Sequence, residues 1–332
     1  MAPIPRLQKK TYAFVSIPIL LFSTIFIFSK LIIPPLSPFT YMWLRSGFGT
    51  LSVLCILAAT LSFHVLKSWK TCWRDVLLFS LAFHLFPLII VFLSTPLTSA
   101  TNQVIINNTS LAFVMILNLV IFRVMPSRML VIAVAINFCG ILLVMWPLDF
   151  SQNPSLIGDI IMAAGVMAGA FFPIFNKRLT GKVHPIALAF SINLFPFLAL
   201  LPVLLVPGQF DTIITLGTVD FGWFSIAFIG IGVSGVAYLS GNKAYQDKAM
   251  TAELYNAFIT FVPVLGVLWG YLLGEVIDPV NYAGAALVIV SIIIANKAPA
   301  SRNITRRDGD APAREHVQET EMKKEKVTGN EC

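Results

Sequence analysis

Amide and hydroxyl side chains recur at helical spacing in two apolar segments of this 332-residue chain. The first segment carries Gln103, Asn107 and Ser110, and the second carries Asn256 and Thr260. Intervals of three and four residues place each group on one face of a helix. Unpaired amides are costly in hydrocarbon, so both faces are expected to point into a helix bundle or a water-filled cavity. They predict a site that binds a small polar molecule, with interhelical hydrogen bonding that only holds the bundle together as the alternative.

Four further residues are candidates for the same site. Arg45 lies near the predicted outer start of an otherwise uncharged segment, where a guanidinium could pair with a substrate carboxylate or phosphate. His84 falls in the middle of another apolar segment, where packing is the alternative to proton transfer. The complete predicted substrate-binding set is Gln103, Asn107, Asn256, Thr260, Tyr255, Tyr238, Arg45 and His84.

The segments that hold these residues are too apolar for a water-soluble protein. Hydrophobic residues make up 57% of the chain and charged residues 12%, whereas soluble domains carry about 25% charge. Between Asp75 and Arg123 there is no Asp, Glu, Lys or Arg, a run long enough for two membrane spans of about 20 residues each. The apolar runs show no two-residue alternation, which favours helices over a barrel. We therefore predict an all-α integral membrane protein with about ten transmembrane helices.

The predicted spans lie near residues 12–33, 40–61, 76–92, 100–122, 129–146, 157–175, 185–206, 221–242, 252–273 and 282–295. Lys and Arg concentrate in alternate loops and at both chain ends, which by the positive-inside rule predicts that both termini are cytoplasmic. We expect a multi-pass protein of the plasma (inner) membrane. The net charge of +7 is then a topological signal on a face near anionic lipid, and it requires no nucleic-acid partner.

The two halves of the chain resemble each other at an offset of 153 positions. With this offset Gln103 corresponds to Asn256 and Asn107 to Thr260. Each half holds five predicted spans, and an odd number reverses the orientation of the second half, as in many secondary transporters. The predicted organisation is a first five-helix repeat at 1–148, an inverted second repeat at 149–298 and a charged, disordered cytoplasmic tail at 299–332.

Several short motifs along both halves of the chain carry a resemblance to a known family. They are Pro38-Phe39 through Leu44-Arg45, Thr98-Ser99-Ala100, and Gly274-Glu275 followed by Tyr282-Ala283-Gly284-Ala285-Ala286. With these motifs the region 17–296 resembles the EamA-type permeases of the drug/metabolite transporter superfamily. The resemblance implies ten helices in two inverted repeats around a central cavity, and export of amino acids or related metabolites.

The sequence also carries no signal for catalysis. It has no Walker-type phosphate loop, no metal-ligand spacing and no nucleophile–base pair, so we predict a non-enzyme without a cofactor or bound metal. The expected partners are a small-molecule substrate and membrane lipid. The predicted function is a secondary transporter that exports amino acids or related metabolites by alternating access. An organophosphate or nucleotide-sugar antiporter of the same superfamily, and a non-transporting membrane scaffold or receptor, are the alternatives.

Overall fold

The computed structural model describes residues 7–25, 28, 32, 36–97, 103, 106–121, 123–144, 146, 156–272, 278–299 and 302–303. Helices account for nearly all of these residues. The motif residues 98–100 and 274–275 lie outside the described residues.

The principal helices are labelled α1 to α10 in chain order. They are α1 Lys9–Ser23, α2 Pro38–Ala59, α3 Cys72–Ser94, α4 Ile106–Val120, α5 Arg128–Val144, α6 Leu156–Leu179, α7 Pro185–Leu205, α8 Gly222–Ala244, α9 Ala252–Gly266 and α10 Pro279–Lys297. Six of them (α2, α3, α6, α7, α8 and α10) are long and apolar enough to cross a membrane. The other four are shorter within the described residues, so the count of ten spans stays a prediction. Short helices at Phe63–Ser68 and Gln209–Leu216 lie in connecting segments.

Local sequence signals explain where several helices begin. Helices α2, α7 and α10 start at Pro38, Pro185 and Pro279, where a missing backbone N–H costs no helical hydrogen bond. The hydroxyl of Ser37 caps α2 by accepting from the Thr40 backbone N–H at 3.1 Å. These starts agree with predicted spans at 40, 185 and 282 to within a few residues.

Equivalent helices of the two halves pack against each other. Helix α5 lies along its counterpart α10, and α2 lies against its counterpart α7 and also against α8. Small residues allow this close approach: a Cβ atom on Gly140 of α5 would lie 2.9 Å from Val288 Cγ2 of α10. On α2, a Cβ atom on Gly49 would overlap Asn193 of α7 and Ser234 of α8.

Two π-helical segments interrupt α3 and α8. They span Phe79–Leu85 and Ile229–Ala237. The offset of 153 brings residues 79–85 onto 232–238, so the two segments occupy nearly equivalent places in the two halves. Such wide turns rotate the faces of a helix relative to each other and are frequent at functional sites. His84 lies inside the first segment, and Tyr238 directly follows the second.

Helix connections gather polar and charged residues at one end of the bundle, called the basic end below. It carries Gln8, Ser68, Lys177, His184 and Asp247, which are joined by hydrogen bonds between neighbouring segments. Its mainly basic loops are the ones that the charge pattern predicts to be cytoplasmic.

A two-residue strand also lies where the predicted disordered tail begins. Val124–Met125 (β1) pairs antiparallel with Arg302–Asn303 (β2). The first residues of the tail are therefore tied to the connection between α4 and α5. Residues 304–332 lie outside the described residues, and their disorder stays a prediction.

Candidate substrate cavity

A cavity of about 340 Å³ lies inside the bundle, between α1, α2, α3, α4, α6, α8 and α9. This volume falls within the range of small-molecule sites, about 300–1,000 Å³. The structure brings together all eight predicted site residues in its lining, namely Arg45, His84, Gln103, Asn107, Tyr238, Tyr255, Asn256 and Thr260. Their role in binding a substrate stays a prediction.

Arg45 supplies the cationic part of the cavity wall. The side chain is only 4% exposed, and its Nε donates to Ser234 Oγ of α8 at 2.7 Å. The guanidinium also lies near the Tyr238 phenol and near His84. Within the described part of the chain, no carboxylate forms an ion pair with Arg45. A buried cation without a carboxylate partner is costly, and the same geometry offers an anionic ligand a binding partner.

Aromatic rings form the wall beside Arg45. The imidazole of His84 meets the ring of Tyr238 edge-on, with centroids 5.0 Å apart at 89°. Phe172 of α6 lies 5.2 Å from His84 and 5.7 Å from Tyr238, and Phe22 of α1 also lies 5.7 Å from Tyr238. This packing keeps His84 6% exposed, and it presents a largely apolar surface to any ligand held by Arg45.

The amides of α4 and α9 supply neutral polar groups. Asn107 is exposed and Asn256 is half-buried, and both line the cavity. Neither side chain forms a hydrogen bond with another described residue. Each amide therefore has two donor hydrogens and an acceptor oxygen available. Thr260 differs, because its hydroxyl donates to the Ala257 carbonyl at 2.6 Å and retains only acceptor capacity toward the cavity.

Tyr255 forms the wall that faces the basic end. Its hydroxyl packs against Gly241 of α8, where a Cβ atom would lie 2.5 Å away. Its ring also lies 4.5 Å from the ring of Tyr245, which is buried and outside the cavity lining. The two tyrosines thus separate the cavity from the loop between α8 and α9.

A charged network ties together the segments at the basic end. Asp247 Oδ2 accepts from Thr11 Oγ1 at 2.6 Å and from the Gln8 backbone N–H at 2.9 Å. Lys177 Nζ donates to the carbonyl oxygens of Tyr245 at 2.8 Å and of Asp247 at 2.5 Å. Partial burial raises the pKa of Asp247, but hydrogen bonds from Thr11, Gln8 and Ala249, together with nearby Lys177, outweigh burial and lower that pKa below its ordinary value.

Glu253 lies on α9 near Asn256 and Thr260 but, unlike them, does not line the cavity. The sequence groups it near Asn256 and Thr260, yet it is 6% exposed and lies outside the cavity lining. Its carboxylate accepts a hydrogen bond from Asn118 Nδ2 of α4. The pair therefore links the two amide-bearing helices outside the cavity. In the described residues, no three His, Cys, Asp or Glu side chains come together as a metal ion would require.

Sequence reasoning missed Ser234, which has no counterpart on a repeated polar face. Its backbone carbonyl accepts from Asn193 Nδ2 at 2.8 Å, while its hydroxyl accepts from Arg45. Glycines at 230, 232 and 235 surround it in the sequence. Small residues at this spacing indicate close helix contact, and they are the signal that could have drawn attention to this segment.

Three relatives carry the description "uncharacterized transporter". An Archaeoglobus fulgidus protein is 29% identical over 55% of this chain and 62% of its own length. The Bacillus subtilis protein YetK is 25% identical over 59% of this chain and 60% of its own length. The matched part of the chain thus spans less than two thirds of these two relatives. A second A. fulgidus protein is 23% identical over 87% of this chain and 98% of its own length.

A crystal structure of a protein with 15% sequence identity superposes with a TM-score of 0.70, over 87% of this chain and 96% of the other. At this identity the likeness shows the fold alone. The EamA-like transporter family matches residues 9–146 and 156–297, so the family pattern occurs twice, once in each half of the chain. Together with the six helices that can cross a membrane, this makes the protein a multi-pass integral membrane protein. The chain belongs to the EamA-like transporter family.

Proposed function

We propose that this protein is a secondary transporter of small metabolites that carry an anionic group, with amino acids and related compounds as the leading class. The observation that carries the proposal is the cavity between the helices, where the buried Arg45 has no carboxylate partner among the described residues. A substrate carboxylate would form a charge-assisted hydrogen-bonded pair with the guanidinium. The amides of Asn107 and Asn256, which form no hydrogen bond with another described residue, would bind the remaining polar groups.

The two repeats support alternating access as the mechanism. Helices from both halves line the cavity, with α3 and α8 contributing His84 and Tyr238, and α4 and α9 contributing the amides. Inverted halves can exchange conformations, so that a site between them opens first to one side of the membrane and then to the other. Export as the direction of transport follows from the family resemblance, and cytoplasmic termini follow from the distribution of basic residues.

The antiporter alternative receives less support from the cavity. An organophosphate or nucleotide sugar carries more negative charge than a carboxylate and calls for several cations. Arg45 is the one Arg or Lys in the described lining. The family assignment also favours transport over a scaffold or receptor, and over catalysis.

Counterflow in proteoliposomes tests the proposal. Vesicles with purified protein are loaded with a mixture of amino acids and small carboxylates, and uptake of each labelled compound is measured. We expect uptake that depends on the internal compound, whereas a scaffold gives none. Arg45→Gln should lower uptake of anionic and zwitterionic compounds more than that of neutral ones. Arg74→Gln removes the same charge from an exposed site and should leave uptake unchanged. Equal loss for all compounds, with poor expression, would instead assign Arg45 a folding role.

A further inference from the structure

We infer that the cavity selects monoanionic carboxylates over zwitterions of the same carbon skeleton. The inference rests on the proposed transport function. Within the proposed class of anionic metabolites, it ranks simple carboxylates above the amino acids that the family resemblance places first. Two features carry it: the positive charge of Arg45, which a ligand can neutralise, and the orientation that Ser234 gives to the guanidinium.

The charges of the lining are one-sided. In the part of the wall that the structure describes, Arg45 is a full cation and no Asp or Glu is present. The residues that flank Gln103 in the chain, 98–105, contain no acidic residue either. A substrate carboxylate therefore has a charged partner, whereas a substrate ammonium group meets only neutral acceptors among the described lining residues, such as the side-chain oxygens of Asn107 and Asn256.

The nearest carboxylates described in the structure have other partners. Glu253 accepts from Asn118 and is buried outside the lining. Asp247 accepts from Thr11 and two backbone N–H groups, in the loop beyond Tyr245. Neither carboxylate faces the cavity, so neither supplies the charge that an amino-acid ammonium group requires.

Charge matching decides between ligand classes in a cavity lined by largely apolar helices. A monoanion bound to Arg45 gives a neutral pair, whereas a zwitterion leaves one uncompensated positive charge and a dianion leaves one negative charge. An uncompensated charge is costly at low dielectric, even where neutral groups donate or accept hydrogen bonds. A monoanionic ligand, which forms a neutral pair with Arg45, therefore fits this site best.

Ser234 acts as a positioning residue for Arg45. Because the Nε hydrogen is bound by Ser234 Oγ, the guanidinium is fixed along one edge while its terminal nitrogens remain for a ligand. Asn193 holds Ser234 in turn, by donating from Nδ2 to its carbonyl oxygen at 2.8 Å and to that of Ala189 at 2.8 Å. The π-helical segment of α8 places both the Ser234 hydroxyl and its carbonyl toward neighbouring helices.

Three related probes separate the charge classes. 3-Phenylpropanoate (carboxylate only) and phenylalanine (zwitterion) share one carbon skeleton, and 2-phenylethylamine (ammonium only) lacks the carboxyl carbon. The phenyl group suits the wall of His84, Phe172 and Tyr238. Binding to the purified full-length protein in nanodiscs is measured by calorimetry at pH 8, so that an imidazole facing Arg45 is neutral. We expect 3-phenylpropanoate to bind about tenfold more tightly than phenylalanine, and the amine not to bind.

Ser234→Ala should weaken 3-phenylpropanoate binding about fivefold, because the guanidinium loses its fixed edge. The same substitution in an Arg45→Gln background should have no further effect, which a packing role for Ser234 would not produce. Ser225→Ala is the matched control, since Ser225 lies on the same helix, is fully buried and has a hydroxyl with no hydrogen-bond partner in the described part of the chain. It should leave the affinity unchanged.

Binding of phenylalanine as tight as that of 3-phenylpropanoate, or any binding of the amine, overturns the inference. Failure of all three probes to bind overturns it as well. In each case the proposed function stands if counterflow of other metabolites is observed. It fails together with the inference only if the vesicles show no counterflow at all.

Discussion

The cavity and the basic end contain similar polar residues, but they differ in whether the described side chains form hydrogen bonds with one another. In the cavity, Asn107 and Asn256 have no side-chain hydrogen bond with another described residue. At the basic end, by contrast, the Asn176 amide donates to Asn242 Oδ1 at 2.9 Å, and Lys177 donates to two backbone carbonyls. The difference lies in the partners and not in the residue types.

This contrast suggests a division of labour within the bundle. Polar groups that satisfy each other contribute to the stability of the closed basic end, because breaking such a pair leaves a buried group without a partner. Polar groups that face the cavity already meet water, so their removal costs little stability and reduces ligand binding instead. The following predictions use variants that should separate the two effects.

The largest effect is expected at Lys177, in the basic-end network. Lys177→Met removes an ammonium group that donates to the carbonyls of Tyr245 and Asp247. Hydrogen bonds to charged groups contribute about 1.5–3 kcal/mol each. Loss of both bonds from this half-buried side chain should therefore lower the free energy of unfolding by about 3 kcal/mol, the lower end of their sum. Thermal unfolding of the detergent-purified protein checks this, with Lys182→Met at an exposed position of the same end as control. If Lys177→Met is as stable as the unmodified protein but binds ligand more weakly, the basic end does not serve stability alone, and the proposed division is wrong.

A matched pair of asparagines gives the sharpest comparison. Asn256→Ala should weaken binding of a transported compound roughly 2–13-fold, from the loss of a net 0.5–1.5 kcal/mol, while the melting temperature stays close to that of the unmodified protein. Asn242→Ala should do the reverse, because it leaves the buried amide of Asn176 without its acceptor. Calorimetry and thermal unfolding on the same samples measure both quantities. If Asn256→Ala unfolds at lower temperature with unchanged affinity, its face of α9 serves packing and not binding.

The smallest effect is a pH dependence confined to the basic end. Because folding lowers the pKa of Asp247, its contribution to stability is complete above the unfolded-state value near 4. That contribution is lost as the pH falls through the lower folded-state value. Asp247→Asn should therefore lose less stability than the unmodified protein on acidification from about pH 5 to pH 3.

Gln209→Ala provides the control for this pH dependence. At the opposite end of the bundle, Gln209 Oε1 accepts from the hydroxyls of Ser37 and Thr40, and none of these groups titrates. This variant should be slightly less stable than the unmodified protein at every pH, with the same slope. An unchanged slope in Asp247→Asn would mean that other groups carry the acid sensitivity.

Much of the architecture could be predicted because the signals are local or repeated. A hydrophobic content of 57% with 12% charge leaves too little polar surface for a soluble fold of this length, and the apolar runs predict helices. Intervals of three and four residues placed Gln103 and Asn107 on one face of a helix, and the offset of 153 related them to Asn256 and Thr260. All four line the cavity.

The tertiary structure alone decided which polar residues face the cavity and which bind one another. Glu253 belongs by spacing to the same stretch as Asn256, but Asn118, 135 positions away, binds it outside the cavity. Ser234 gains its place beside Arg45 through a contact across 189 positions and through a π-helical turn. Helical periodicity is a property of neighbouring residues, and the sequence therefore determined the faces of the helices. A hydrogen-bond partner depends on how distant helices pack and rotate, so only the assembled bundle determined the pairs.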